Sequence, residues 1–236
     1  MSDAILSLKN VHTYIDRHHI LQGVDLEIRK GCPTVLLGRN GAGKSSTLRA
    51  IIGLNTIFEG EIVFQGNVIH AQKPYDIARM GMGFVAEEKA IFNHLTVEEN
   101  MQVSILKMDK TYPQRLAYIF DLFPDLKRFR HKKTQLLSGG QKQMVAIARA
   151  LVNDHDMILI DEPSKGLAPI VVDQLAKALR RIRDKTTIVL VEQNFYLASL
   201  IGQYYFILDD GRTVHQGEMK DLIKDRALKK KYLGIG

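Results

Sequence analysis

Nine consecutive residues, Gly38-Arg39-Asn40-Gly41-Ala42-Gly43-Lys44-Ser45-Ser46, carry the strongest chemical signal in this chain. They fit Gly-x-x-x-x-Gly-Lys-[Ser/Thr], a loop whose backbone N–H groups can close on a polyphosphate because no side chain stands in the way. Lys44 adds a cation suited to the β- and γ-phosphates, and the Ser45 hydroxyl can ligate Mg²⁺. Thr34–Leu37 just upstream is an aliphatic, β-branched run that suits a buried parallel strand. Downstream, Leu48, Ile51 and Ile52 recur at helical spacing, so the phosphates would meet a helix N-terminus. A chance glycine turn explains the pattern poorly once strand, loop and helix all stand in place. Residues 38–46 are therefore expected to bind ATP or GTP.

Two further stretches have chemistry to offer. Leu137-Ser138-Gly139-Gly140-Gln141 precedes a run with Met144, Ile147, Ala148 and Leu151 on one helical face, so Ser138 reads as an N-cap. Two glycines in the first turn would leave its N–H groups open, a second anion-binding helix end. Met157–Ile160 is a strand-sized apolar run, and Asp161-Glu162-Pro163 follows it. A carboxylate at the end of such a strand is where a nucleotide hydrolase holds Mg²⁺, a role for Asp161. Glu162 beside it is placed to orient or deprotonate water. Taken alone, each stretch reads more simply as a glycine turn or an acidic turn. Their order behind a phosphate loop reverses that preference.

These residues need a scaffold, and the rest of the pattern supplies one. Ile5–Leu8 and Val24–Ile28 alternate apolar with polar, and glycines at 23 and 31 bracket the second run. Residues 1–30 thus predict an antiparallel β-layer, with Tyr14 in a polar turn between its strands. Gly60–Gly66 and Val68–Ile69 predict a strand pair turning at Gly66-Asn67. Gly81–Val85 is a short strand, and Thr96-Val97-Glu98-Glu99 is a capping box whose helix carries Val97, Met101, Ile105 and Leu106. A further amphipathic segment, Gln114 to Phe123, stops at Pro124. Residues of about 88–135 therefore read as a helical lobe inserted in the core. Pro169 starts a helix with Leu175, Ala178, Leu179 and Ile182 on its apolar face, and Ile188–Val191 is another buried strand. Tyr204–Leu208 and Thr213–Gln216 form a hairpin around Asp210-Gly211.

Composition narrows the classes. A chain of 236 residues, 45% hydrophobic and 25% charged, can bury one sizeable core, and a single domain over 1–236 is expected. Its longest apolar runs are too short to span a bilayer, and Met1-Ser-Asp-Ala lacks a signal-peptide layout. The single cysteine, Cys32, suits a reducing cytosol and reads as a filler beside Pro33. Net charge is +7, but no aromatic-basic interleaving points to nucleic acid, so no nucleic-acid partner is expected. Lys229–Lys231 reads as a solvated helix face.

The phosphate loop, Leu137–Gln141 and Asp161-Glu162, in that order, resemble the ATP-binding subunit of ABC transporters over almost the whole chain. Ile91-Phe92, Leu95–Asn100, Gly166–Pro169, Leu190–Asn194 and Tyr232–Gly234 are similar to the subunit of branched-chain amino acid importers. The resemblance implies an α/β phosphate-loop ATPase core, hydrolysing ATP with Mg²⁺, with an antiparallel β-layer and a helical lobe. It implies that Tyr14 stacks on adenine, and that Ser138, Gly139, Gly140 and Gln141 grip the γ-phosphate held by an opposite subunit. It also gives catalytic roles to Glu87 and Gln193 and adds Glu87 to Ser45 and Asp161 as a Mg²⁺ group. Implied partners are a second ATP-binding subunit, different from this one in a heterodimer or, as the alternative, identical in a homodimer, together with transmembrane permease subunits and, indirectly, a periplasmic or extracellular solute-binding protein. The implied location is cytoplasmic, peripheral on the inner face of the membrane.

Departures from the wider superfamily are specific. Glu87 stands where a glutamine is usual and Gln193 where a histidine is usual, and both exchanges resemble the branched-chain branch. Lys165 replaces a small or aliphatic residue, Leu167 an aspartate and Arg39 a proline, while Ala86–Lys89 lacks the expected Pro/Gly turn. Glu87, Asp161 and Glu162 would put three carboxylates around one metal, which repel unless cations offset them. Residues 47–137 leave no room for the coiled coil of a chromosome-maintenance ABC protein, and one cassette is half of what a translation-associated one carries. A lipid or lipopolysaccharide exporter subunit would share the same motor chemistry.

Overall fold

The structure, a computed structural model, describes residues 4–106 and 109–235. The signal-peptide reading of Met1–Ala4 falls, except for Ala4, outside these residues. A parallel sheet forms the centre, built from β3 (Thr34–Leu37), β6 (Met82–Val85), β7 (Met157–Asp161), β8 (Thr187–Val191) and β9 (Tyr204–Asp209). The order is β9-β3-β8-β7-β6, with β10 (Arg212–Glu218) antiparallel on the β9 edge. Beside it lies an antiparallel sheet ordered β2 (His18–Arg29), β1 (Ala4–Ile15), β4 (Ile57–Phe64), β5 (Asn67–Val68).

Alternation along the central strands decides what covers each face. Val35, Leu37, Ile158, Ile160, Ile188, Leu190, Tyr205 and Ile207 point into one core with α6 (Gly139–Leu151), α7 (Pro169–Arg183) and α8 (Phe195–Ile201). Their neighbours Leu36, Met157, Leu159, Val189, Val191, Phe206 and Leu208 enter the other, against α1 (Lys44–Ile51) and the antiparallel sheet. Each strand is buried on both faces, so the runs read as continuous hydrophobics in the sequence. Both cores leave the C-terminal ends of β3, β7 and β8 on one edge, where open α/β sheets bind ligands.

α2 (Pro74–Arg79) precedes β6, and the chain between β6 and α6 forms α3 (Val97–Gln102), α4 (Tyr112–Leu122) and α5 (Pro124–Arg128). The Thr96/Glu99 capping box is present, with Thr96 accepting from the Glu99 N–H and Glu99 accepting from the Thr96 N–H. Three expectations need correction. Ile105 and Leu106 lie beyond the end of α3, because Val103 closes that helix. Tyr14 is in strand β1, paired with His19 on β2, not in a turn. The β4–β5 turn falls on Gln65-Gly66, both at positive φ, one residue earlier than expected, and Asn67 already belongs to β5. Pro124 ends one helix by opening the next, as its missing N–H permits at a first helical position.

Candidate nucleotide-binding site

The loop between β3 and α1 follows the backbone logic its sequence suggested. Gly38 has φ 145, and a Cβ there would lie 2.2 Å from the Leu208 carbonyl oxygen, so the loop passes too close to β9 for any side chain. Gly41 has φ 82, and a Cβ there would meet nothing within 4 Å, so its bare backbone faces open space. Gly43, at the N-cap of α1, is left-handed, and no side chain caps the helix. First-turn N–H groups therefore remain available where the macrodipole is positive. Lys44 is 4% exposed and its Nζ donates to the carbonyls of Gly38 and Arg39, each at 3.0 Å. Burial lowers its pKa, opposed by Glu162 and then Asp161. Ala42 is buried, while Asn40 is exposed and Ser46 half-buried. Arg39 turns outward, its guanidinium donating to the Lys231 carbonyl at 3.1 Å, so it ties the C-terminal segment to the loop.

The carboxylates converge on the same edge. Ser45 Oγ donates to Asp161 Oδ1 at 2.9 Å. Asp161 is 1% exposed, and burial pushes its pKa up to about 6 despite the Ser45 hydrogen bond. Its Oδ2 is buried without a hydrogen-bond partner among the described residues. Glu162 has φ 42, a left-handed backbone rare outside glycine and asparagine and found at sites where strain is held by surroundings. Its N–H, 2.9 Å from the Val191 carbonyl, holds that bend. The bend places Oε1 2.6 Å from the Gln193 amide Nε2 and 4.0 Å from Lys44 Nζ. Glu87, in the loop after β6, is ion-paired with Lys165, whose Nζ is also 3.8 Å from Glu162 Oε2.

These observations fit a polyphosphate with one divalent cation. Mg²⁺ commonly uses one or two carboxylates and completes its shell with substrate oxygens and water. An orphaned Asp161 oxygen beside the Ser45 hydroxyl offers such a half-site. Among the described residues no group of three or more His, Cys, Asp or Glu could hold a metal by itself. Glu87 is directed to Lys165 rather than bonded to Asp161 or Ser45.

Ser138–Gln141 lies apart from this edge. Ser138 Oγ accepts from the Gln141 N–H at 3.3 Å, and Gln141 Oε1 accepts from the Ser138 N–H at 3.0 Å, completing a capping box. Ser138 and Gly139 are exposed. A Cβ at Gly140 would press within 2.8 Å of Val171 on α7, whereas one at Gly139 would meet only Lys89 Nζ at 3.7 Å. No hydrogen bond or ion pair among the described residues joins this helix end to the phosphate loop. Tyr14 is also separate and 48% exposed, its ring stacked on His19 at 4.4 Å and edge-on to Phe58 at 5.6 Å.

Three residues escaped sequence reasoning. Lys89, seen only as part of an irregular loop, donates to the Gly139 carbonyl at 2.9 Å. Glu192, buried at the end of β8, accepts from the N–H groups of Ser164 and Asn194 and so shapes the turns that carry Glu162 and Gln193. Burial raises its pKa. A lone acid after an aliphatic strand run was its only signal. Lys165 stood out as a departure, but its partners needed a fold. Cys32 is half-exposed and free, and burial raises its thiol pKa, as suits a filler.

A parallel sheet, an uncapped helix end behind a glycine loop and paired acids at the C-terminal end of β7 define a phosphate-loop nucleotide-binding protein. The protein-family profile for the ABC transporter matches residues 21–165. A probable branched-chain amino acid transport ATP-binding protein, LivF, from Archaeoglobus fulgidus is 34% identical over 92% of this chain and 93% of its own. The Pseudomonas aeruginosa high-affinity branched-chain amino acid transport ATP-binding protein BraG is 34% identical over 98% and 100%. The lipopolysaccharide export system ATP-binding protein LptB of Haemophilus influenzae is 31% identical over 98% of each chain. Among solved structures, a dimeric ATP-binding cassette in a post-hydrolysis state, bound to ADP and Pi, superposes with a TM-score of 0.80. It is 27% identical and is covered over 98% of its length by 91% of this chain. The chain belongs to the ABC transporter family, as an ATP-binding cassette subunit of the kind that hydrolyses ATP. Among the described residues no helix is long and apolar enough to cross a membrane.

Proposed function

We propose that this chain powers an ABC importer for branched-chain amino acids or related small polar solutes. The observation that carries the motor assignment is the convergence of buried Lys44, Asp161 and Glu162 at one uncapped helix end. Residues 38–46 hold the phosphates, Lys44 exchanging its two loop carbonyls for phosphate oxygens. Glu162, oriented by the Gln193 amide, orients or deprotonates the attacking water. Ser45, Asp161 and Glu87 would hold Mg²⁺, which when bound supplies electrophilic stabilisation to the phosphoryl group. Tyr14 offers a flat, exposed ring to adenine. Ser138–Gln141, exposed at Ser138 and Gly139 and joined by no hydrogen bond to the chain's own loop among the described residues, would serve the γ-phosphate of a second subunit.

Residues of about 88–135 then act as a lobe that carries the start of α6 toward that subunit. The chain would sit at the cytoplasmic face of the membrane, docked on permease subunits and reached only indirectly by a solute-binding protein. The solute preference rests on likeness to LivF and BraG over nearly full lengths. A lipopolysaccharide exporter subunit is the second reading, favoured by the LptB likeness at 31%. Steady-state ATP hydrolysis should be measured for the chain alone, with a second ATP-binding subunit, and with permease subunits in vesicles. We expect weak activity alone and a marked rise with partners, stimulated by a binding protein loaded with a branched-chain amino acid. Stimulation by lipopolysaccharide instead would overturn the importer reading.

A further inference from the structure

Lys165 sits on the turn after Glu162 and reaches back across 78 positions of sequence to Glu87. Its Nζ is ion-paired with Glu87 Oε1 and lies 3.8 Å from Glu162 Oε2. No other cation among the described residues is within ion-pair distance of Glu87. Glu162 meets one more, Lys44, at 4.0 Å, and accepts from the Gln193 amide. Arg49 acts on Asp161 only at longer range, and Glu87 acts on Asp161 as a like charge. One side-chain cation thus bridges two of the three carboxylates on the edge where the metal half-site lies. An exposed ion pair of this kind contributes little to fold stability, and Lys165 is 62% exposed. Its placement matters more for what it occupies than for what it stabilises.

We propose that Lys165 is a placeholder for the divalent cation, holding Glu87 and offsetting the acidic cluster until Mg²⁺ and nucleotide displace it. The proposal rests on reading Ser45, Asp161 and Glu87 as the Mg²⁺ groups. In that role Lys165 sets how much Mg²⁺ is needed to load the site. With the ammonium gone, Glu87 and Glu162 are unscreened, so the edge attracts Mg²⁺ more strongly and repels metal-free nucleotide more strongly. Arginine at the position would keep the charge and the bridge.

The test is equilibrium binding of a trinitrophenyl derivative of ATP to the purified chain, followed by fluorescence and titrated with Mg²⁺ or held in EDTA. Lys165→Ala, Lys165→Gln and Lys165→Arg are compared with wild type, and circular dichroism checks that each is folded. For the two neutral variants the Mg²⁺ midpoint should fall roughly two- to fivefold, the scale of a partly exposed charge interaction. Affinity in EDTA should weaken by a similar factor, and Lys165→Arg should stay near wild type. An unchanged midpoint in both neutral variants overturns the placeholder role. A raised midpoint also overturns it, since Lys165 would then be helping to hold the loaded nucleotide. If wild-type binding ignores Mg²⁺ while Lys44→Ala abolishes it, the metal half-site itself is misread and the placeholder falls with it.

Discussion

The chain presents two glycine-bearing helix starts, at α1 and α6, and they are finished differently. At α1 the N-cap is a left-handed glycine with no side-chain cap, and the loop before it is packed against β9. Its donors, a buried lysine and two buried acids face one another within the same chain. At α6 a Ser138/Gln141 box already satisfies part of the first turn, and the surrounding surface is exposed. Lys89 donates to the Gly139 carbonyl there, and burial and then the Lys142 charge lower its pKa. The first start is a complete cradle and the second is half of one. A helix end that keeps its own cap and an open glycine is suited to an anion delivered from outside the chain.

Removing the chemistry at α1 should have the largest consequence. Glu162→Gln keeps the size and the Gln193 contact but loses the carboxylate, so hydrolysis should fall on the order of 10²–10⁴ while ATP still binds. The ATP-bound form should then accumulate as a dimer, visible by gel filtration with light scattering. Hydrolysis near the wild-type rate would remove Glu162 from the mechanism and dissolve the contrast between the two helix ends.

Asp161 sharpens the comparison through its burial. Its native pKa, about 6, lies above the ordinary value of 3.8, so the native state binds more protons than the unfolded chain between those pH values. Stability of the nucleotide-free protein from this group is therefore highest below the unfolded value and is lost as pH rises through about 6. Asp161→Asn should be more stable than wild type at pH 7–8 by roughly 1–3 kcal/mol, the advantage closing as pH falls toward 4. Thermal melts of both proteins across that range check the sign. A variant less stable at every pH would mean that the Ser45 hydrogen bond outweighs the desolvation.

The smallest effect belongs to α6. Ser138→Ala breaks the capping box and should cost about 1 kcal/mol in stability. Nucleotide affinity of the monomeric chain should not change, whereas ATP-dependent dimer formation should weaken. Loss of monomer affinity would place Ser138 at the chain's own site and make the two ends one.

Much of this was legible in residue order, and for physical reasons. Thr34–Leu37 and Met157–Asp161 announce themselves because strands buried on both faces must be apolar throughout. The Thr96 and Ser138 caps are local, set by side chains three residues apart. Residues 38–46 need particular residue types because Gly38, Gly41 and Gly43 hold positive φ and Gly38 passes against β9. Tyr14 misled because β1 continues past the alternating segment, its outward face carried by cross-strand rings rather than by local pattern.

What tertiary structure alone decided is which charges meet. Sequence determined that three acids and several cations exist near the motifs, and even that cations would be needed among the acids. It did not determine that Lys165 takes Glu87, that Lys89 reaches Gly139, that Arg39 leaves the phosphate loop for Lys231, or that Gln193 orients Glu162. The Lys165–Glu87 and Gln193–Glu162 contacts join loops set side by side by the parallel order β8-β7-β6, and the other two join segments packed around that sheet, an arrangement set by packing two hydrophobic faces and not by any residue in the contact. Local steric and hydrogen-bonding rules act over a few residues and can be read from a string. Charge pairing acts through space, and the string does not say what lies opposite.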